Sequence, residues 1–107
     1  MKKYKLQDMD GGWIIGNFKP SILKTEKFEI GILKHPKNQK WPSHYHSIIT
    51  EYNVLLKGKM KINGKIINEK DIFVINPKEI ARPIFLEDCE VLCIKVPSII
   101  GDKNETT

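Results

Sequence analysis

Two histidines, His44 and His46, stand two residues apart, and Glu51 follows after four more, just ahead of the apolar run Val54-Leu55-Leu56 that Lys57-Gly58 ends. In an extended segment residues i and i+2 face the same side, so both imidazoles reach one point in space. Glu51 sits at odd parity to His46, which requires the intervening residues to bend or bulge the chain before the carboxylate rejoins that face. Two imidazoles and a carboxylate on one side of a divalent ion leave the other coordination positions to water or substrate. This donor set suits Fe(II), Mn(II), Ni(II) or Zn(II), and spacing alone does not choose among them. Asn53 shares the face of Glu51, either as a ligand-facing polar group or as a satisfied buried amide.

The stretch His44, His46, Glu51, Gly58 resembles the first motif of the cupins, G-x5-H-x-H-x3-4-E-x6-G, with Asn38 at the leading glycine, a residue that also tolerates a left-handed conformation. A second cupin motif, G-x5-7-P-x-G-x2-H-x3-N, is matched in outline by Lys70 through Arg82. Pro77 is kept, while Lys70 and Glu79 stand at its glycines and Arg82 at the position of the fourth ligand, usually histidine. The resemblance implies an all-β fold, a small cupin-type β-barrel (double-stranded jelly roll) with little or no helix, around a metal pocket on His44, His46 and Glu51. It also implies a homodimer, because leading strands in that family often pack on a second subunit. A metal-free barrel, with the same three residues hydrogen-bonded to one another, is the competing expectation.

Arg82 is the single arginine among 18 basic residues. Three placements are open to it. It can offer a fork of donors to a carboxylate or phosphate beside an open metal site. It can turn onto Glu51 as an internal ion pair that empties the site of metal. Or Pro83 can shift the register so that Arg82 faces solvent near Glu79 or Glu87. Three function classes follow: an enzyme acting on a small anionic substrate, by metal assistance or with a histidine as base; a non-catalytic small-molecule binding or sensing module; and a structural dimer with a relict pocket.

The elements that must position these residues read as short strands. Gly11-Gly12 opens Trp13–Phe18, a leading strand expected outside the minimal barrel and covered by a partner subunit. Phe28–Lys34 alternates as a half-buried strand, and His35, placed before Pro36, reads as an exposed loop residue outside the site. After the motif strand and its bulge, Glu51–Lys57 is a strand. Lys59–Ile62 and Lys65–Ile67 form a hairpin about Asn63-Gly64. Asp71–Ile75 and Ala81–Phe85 follow, the latter expected short, bulged or at an edge because Pro83 lacks an amide donor. Cys89–Val96 is the last strand, and residues 99–107 read as a loop tail, disordered from Asn104 on. A single domain is expected over 1–107, with its core at about 20–98.

Length and composition bound the rest. A chain of 107 residues, 40% hydrophobic, supports one core and not two. No apolar run approaches the ~18 residues of a membrane span, and the amino-terminal lysines have no apolar stretch behind them, so a cytoplasmic protein without a membrane partner is expected. The net charge of +5 comes from lysines spread along the chain and not clustered with aromatic residues, which argues against a nucleic-acid partner. Cys89 and Cys93, four residues apart in a strand at ~3.3 Å per residue, are too far apart for a disulfide and read as reduced.

Overall fold

The computed structural model describes residues 1–106. Two short 3-10 turns, Leu6–Asp8 and Asp10–Gly12, are the only helical pieces among them. The strands, in chain order, are β1 (Trp13–Gly16), β2 (Leu23–Lys24), β3 (Glu29–His35), β4 (His44–Tyr45), β5 (Thr50–Lys57), β6 (Met60–Ile62), β7 (Lys65–Ile67), β8 (Ile72–Ile75), β9 (Pro83–Phe85), β10 (Cys89–Val96) and β11 (Asn104–Glu105). No helix of the described residues is long and apolar enough to cross a membrane.

The strands form a six-stranded sheet in the order β2-β1-β3-β10-β5-β8, a three-stranded sheet β7-β6-β9, and the pair β11-β4. In the large sheet β10 runs antiparallel between β3 and β5. Alternation fixes what each face carries: Cys89, Val91, Cys93 and Lys95 of β10 lie opposite Leu55, Asn53 and Glu51 of β5 on the inward side. Leu55, Ile75, Cys89 and Val91 from this sheet meet Met60, Ile62, Ile67 and Phe85 from the smaller one in a single apolar core. Burying such side chains stabilises the fold by about 1.5–3 kcal/mol each.

The turns carry the backbone geometry their residues were chosen for. Asn63 and Gly64 are both left-handed, as a two-residue hairpin requires. Asn38 (φ 63°) and Lys70 (φ 70°), two of the three residues standing where the resembled motifs have glycine, hold the left-handed conformation a glycine would supply. Pro83 begins β9, a three-residue strand at the edge of its sheet.

Both ends of the chain differ from their sequence reading. β1 pairs antiparallel with β3 of its own chain and is part of the large sheet. Trp13 lies flat over Gly31, where a Cβ would come within 2.6 Å of the indole, so a side chain at residue 31 would push the strand off. At the other end, residues expected as a disordered tail form β11, which pairs with β4, and Thr106 N–H donates to the Ser43 carbonyl at 2.9 Å. Thr107, included in that expectation, lies outside the described residues. The local sequence of the tail is polar; its order comes from partners more than fifty residues away.

A candidate metal centre in an aromatic cavity

His44 and His46 are both buried, as the i, i+2 spacing requires, with ring centroids 5.4 Å apart. Residues 46–49 leave regular strand geometry between β4 and β5, which is the bulge that the odd parity of Glu51 demands. That bulge has a holder the sequence reading missed. The Asp102 carboxylate accepts the backbone N–H groups of Ser47 (2.9 Å), Ile48 (3.0 Å) and Ile49 (3.1 Å). Asn104 reinforces it through the Ser47 hydroxyl.

One ligand atom from each of His44, His46 and Glu51 lies within 4.8 Å of the others. Neighbouring ligands held ~2.1 Å from a common ion are ~3–3.4 Å apart, and the His46–Glu51 pair, at 2.8 Å, is already nearer than that. The donor types suit a metal, with His44 ready to ligate and His46 able to do so only after releasing its Nε2 proton. His44 is neutral, because burial lowers its imidazole and outweighs the hydrogen bond to the Pro42 carbonyl; Nδ1–H donates there at 3.2 Å, leaving the Nε2 lone pair for a cation. His46 is bound on both nitrogens: Nδ1 to the carbonyl of Asp102 and Nε2 to Glu51 Oε2 at 2.8 Å. Two acceptors require two N–H donors, so in this state the ring is an imidazolium. Burial opposes that charge, but the hydrogen bonds to Glu51 and Asp102 and the charge of Glu51 raise the His46 pKa above the ordinary value.

Glu51 is the complementary partner. Burial would raise its carboxyl, yet the His46 hydrogen bond, the charges of Lys95 and His46 and the Asn53 amide hold it down to about 2. Asn53 is buried and donates to Glu51 Oε1 at 3.3 Å, so the two roles open to it in the sequence converge: it is a satisfied amide and it also lines the cavity. Cys93, directly across from Asn53 on β10, brings its thiol to 3.5 Å from the same oxygen.

Arg82 does not join the group. It is exposed, and its backbone N–H donates to Asn63 Oδ1 at 2.8 Å. The residue paired with His44 and facing inward is Ala81, 3% exposed, and the next residue in an extended chain faces the other way. No ion pair joins Arg82 to Glu51 among the described residues. This is the solvent-facing placement of the three open to it, and the inward position carries a methyl group and no fourth ligand.

His35, read as an exposed loop residue, is 9% exposed and lines the same cavity as His44 and Glu51. It ends β3 at the inward parity of Glu29, Gly31 and Leu33, stacks on Phe85 at 4.3 Å and meets the edge of Trp41. Burial keeps it neutral, and its Nδ1 pairs with Gln39 Oε1 at 2.7 Å, leaving Nε2 as an acceptor. Lys95 was missed too: it is the inward-facing charge on β10, opposite both Glu29 and Glu51. The alternation of Cys89–Val96 carried that signal. The cavity shared by these groups measures about 440 Å³, with Trp41, Phe73 and Phe85 among its apolar walls.

No family model matches this chain, and no curated protein does. Solved structures do. An uncharacterized conserved protein with a double-stranded β-helix domain from Klebsiella pneumoniae is 14% identical, with 94% of this chain and 88% of that one covered and a TM-score of 0.68. An RmlC-like cupin family protein from Methanocaldococcus jannaschii is 20% identical over 69% of this chain and 73% of that one, with a TM-score of 0.59. A bacterial pirin from Escherichia coli, solved in complex with nickel(II), is 17% identical; 82% of this chain covers 39% of that one, with a TM-score of 0.67. The fold is therefore the double-stranded β-helix of the cupins.

Proposed function

We propose that this chain is a metal-binding cupin that holds one divalent transition ion on His44, His46 and Glu51 and acts on a small organic molecule in the adjoining cavity. The observation that carries the proposal is the convergence of two buried imidazoles and one ionised carboxylate within 4.8 Å, on a cavity large enough for a ligand. The nickel in the pirin of similar fold supports a transition ion of this kind. Bound there, such an ion supplies Lewis acidity at its open positions. The chain's own residues do the rest. The Pro42 and Asp102 carbonyls fix the two rings, Asn53 orients the carboxylate, and His35 presents a neutral imidazole able to accept a proton in the same cavity.

A second reading is a metal-free binding module, favoured by one observation: the 2.8 Å ion pair between His46 and Glu51 already satisfies both groups. Elemental analysis of protein purified without added metal separates the two. Stoichiometric metal that is lost in Glu51→Ala and kept in Arg82→Ala supports the metal centre; protein without metal that takes up none from zinc or nickel solution supports the module.

The chain is further read as a homodimer. Support comes from the outer face of the large sheet, where Tyr52, Val54 and Leu56 of β5 adjoin Ile72 and Val74 of β8 and Leu92 and Ile94 of β10. Ile72 is 72% exposed. Lys34 and Glu90 sit at the end of this face, so it carries both signs of charge and can meet a second copy of itself about a twofold axis.

A further inference from the structure

We infer that the cavity beside His44 and Glu51 binds a small organic carboxylate with a flat apolar body, the carboxylate lying between the ammonium groups of Lys95 and Lys103 and the body against the apolar wall of Trp41, Phe73 and Phe85. The inference deepens the open-site reading above by naming the class of ligand, and it moves the anion-holding role from Arg82 to two residues on other elements.

Lys95 and Lys103 both line this cavity, and each ammonium lies on an indole: Lys95 Nζ is 4.9 Å from the Trp13 ring centroid and Lys103 Nζ is 4.4 Å from that of Trp41. A ring face holds a cation in place without neutralising it. Among the described residues neither lysine has a carboxylate within ion-pair distance; the ion pairs there are Lys34–Glu90 and His46–Glu51. Burial and the nearby charge of Lys95 both press on the Lys103 ammonium, so the two cations are close enough to feel each other. The acids that face them are engaged elsewhere. Glu51 is bound to His46 and Asn53, and Glu29, opposite Lys95 across the strands, is bonded to Ser98 and forms no ion pair with Lys95. Glu105 lies near Lys103 without pairing to it. Two fixed, incompletely compensated cations at the wall of an apolar cavity lower the energy of an anion placed between them.

The rest of the cavity sets the body of the ligand. Its walls are largely aromatic and aliphatic, and about 440 Å³ accommodates a ring acid of roughly ten to twenty non-hydrogen atoms. Inorganic phosphate has no apolar body to place against Trp41, Phe73, Phe85 and Val91.

Isothermal titration of the full chain with 2-naphthoate, 2-naphthamide and inorganic phosphate tests this, with metal content measured on the same samples. Naphthoate is expected to bind at least ~10-fold more tightly than the isosteric neutral amide, and phosphate more weakly than either. Lys103→Met, at an exposed position, and Lys95→Met are each expected to remove most of that preference while leaving naphthamide binding and metal content unchanged; Lys103→Arg is expected to keep it. Equal binding of acid and amide overturns the inference, as does naphthoate affinity unchanged in folded Lys103→Met, or phosphate competing as well as naphthoate. Carboxylate preference in protein that takes up no metal supports the inference and sinks the metal centre instead. Stoichiometric metal without carboxylate preference does the reverse.

Discussion

At the scale of single residues, the His46–Glu51 pair governs how the protein responds to pH. The Glu51 carboxyl titrates near 2 when folded and near 4.5 otherwise, so its contribution is complete above 4.5 and is lost as pH falls toward 2. The His46 imidazole is raised above 6.5, so its contribution is complete below 6.5 and is lost as pH rises through the raised value. The contribution of this pair is therefore greatest between about pH 4.5 and 6.5, whereas His35 and His44, held neutral by burial, cost stability as pH falls below 6.5. In Glu51→Gln the acid limb of the profile should flatten, removing at most ~3 kcal/mol, checked by thermal melts from pH 2 to 9. Metal uptake has the opposite slope on the alkaline side. His46 must release its Nε2 proton to ligate, so zinc affinity should rise ~10-fold per pH unit below the His46 pKa and level off above it, measured by competition with a chelator. The two histidines and the acid were legible from spacing, but the protonation of His46 was not, because it depends on the carbonyl of a residue 56 positions along the chain.

Among elements, alternation located β3, β5 and β10 closely, since a period of two over seven or eight residues leaves little freedom of face. The same alternation places His35 and Lys95 inward; a proline after the first and a solvent-like side chain on the second obscured it. Arg82 failed for a different reason. Motif alignment placed it by counting from Pro77, whereas the inward face is set by the Ala81–His44 bridge, and one residue of offset exchanges inside for outside. The bulge between His46 and Glu51 was legible from parity, yet its clamp was not, since Asp102 lies in a polar stretch with no strand signal of its own. Asp102→Ala removes the acceptor for three amides. It should cost ~1–2 kcal/mol of stability, with exposed Ser47 and Ile48 recovering water, and weaken zinc binding ~10-fold by loosening the His46 support. Melting and chelator competition on the same sample check both effects.

At the scale of the whole molecule, length and composition were enough to expect one core, short alternating strands and the cupin resemblance supplied the all-β fold, and the structure has one core between a six-stranded and a three-stranded sheet. What composition cannot convey is how the two ends of the chain are used. β1 brings Trp13 over Gly31 and into the cavity wall, and the tail from Asp102 to Thr106 closes the region around β4. The outer face of the large sheet gives the assembly prediction. Ile72→Lys places a charge at its most exposed apolar position and should shift the protein from dimer to monomer in light scattering after size exclusion, with little change in metal content.

The doubly held imidazole of His46 also decides which ions can compete for the site. An incoming cation has to outbid a proton and break a charge-assisted bond before it gains its second nitrogen ligand. Magnesium and calcium prefer oxygen donors and gain little from imidazole, so even at the millimolar levels common in cells they are expelled by the proton. Nickel, zinc and iron form strong bonds to nitrogen and can displace it. In the proposed metal centre, the hydrogen bond between His46 and Glu51 would thereby act as a chemical filter, excluding abundant hard ions without any change in the shape of the cavity.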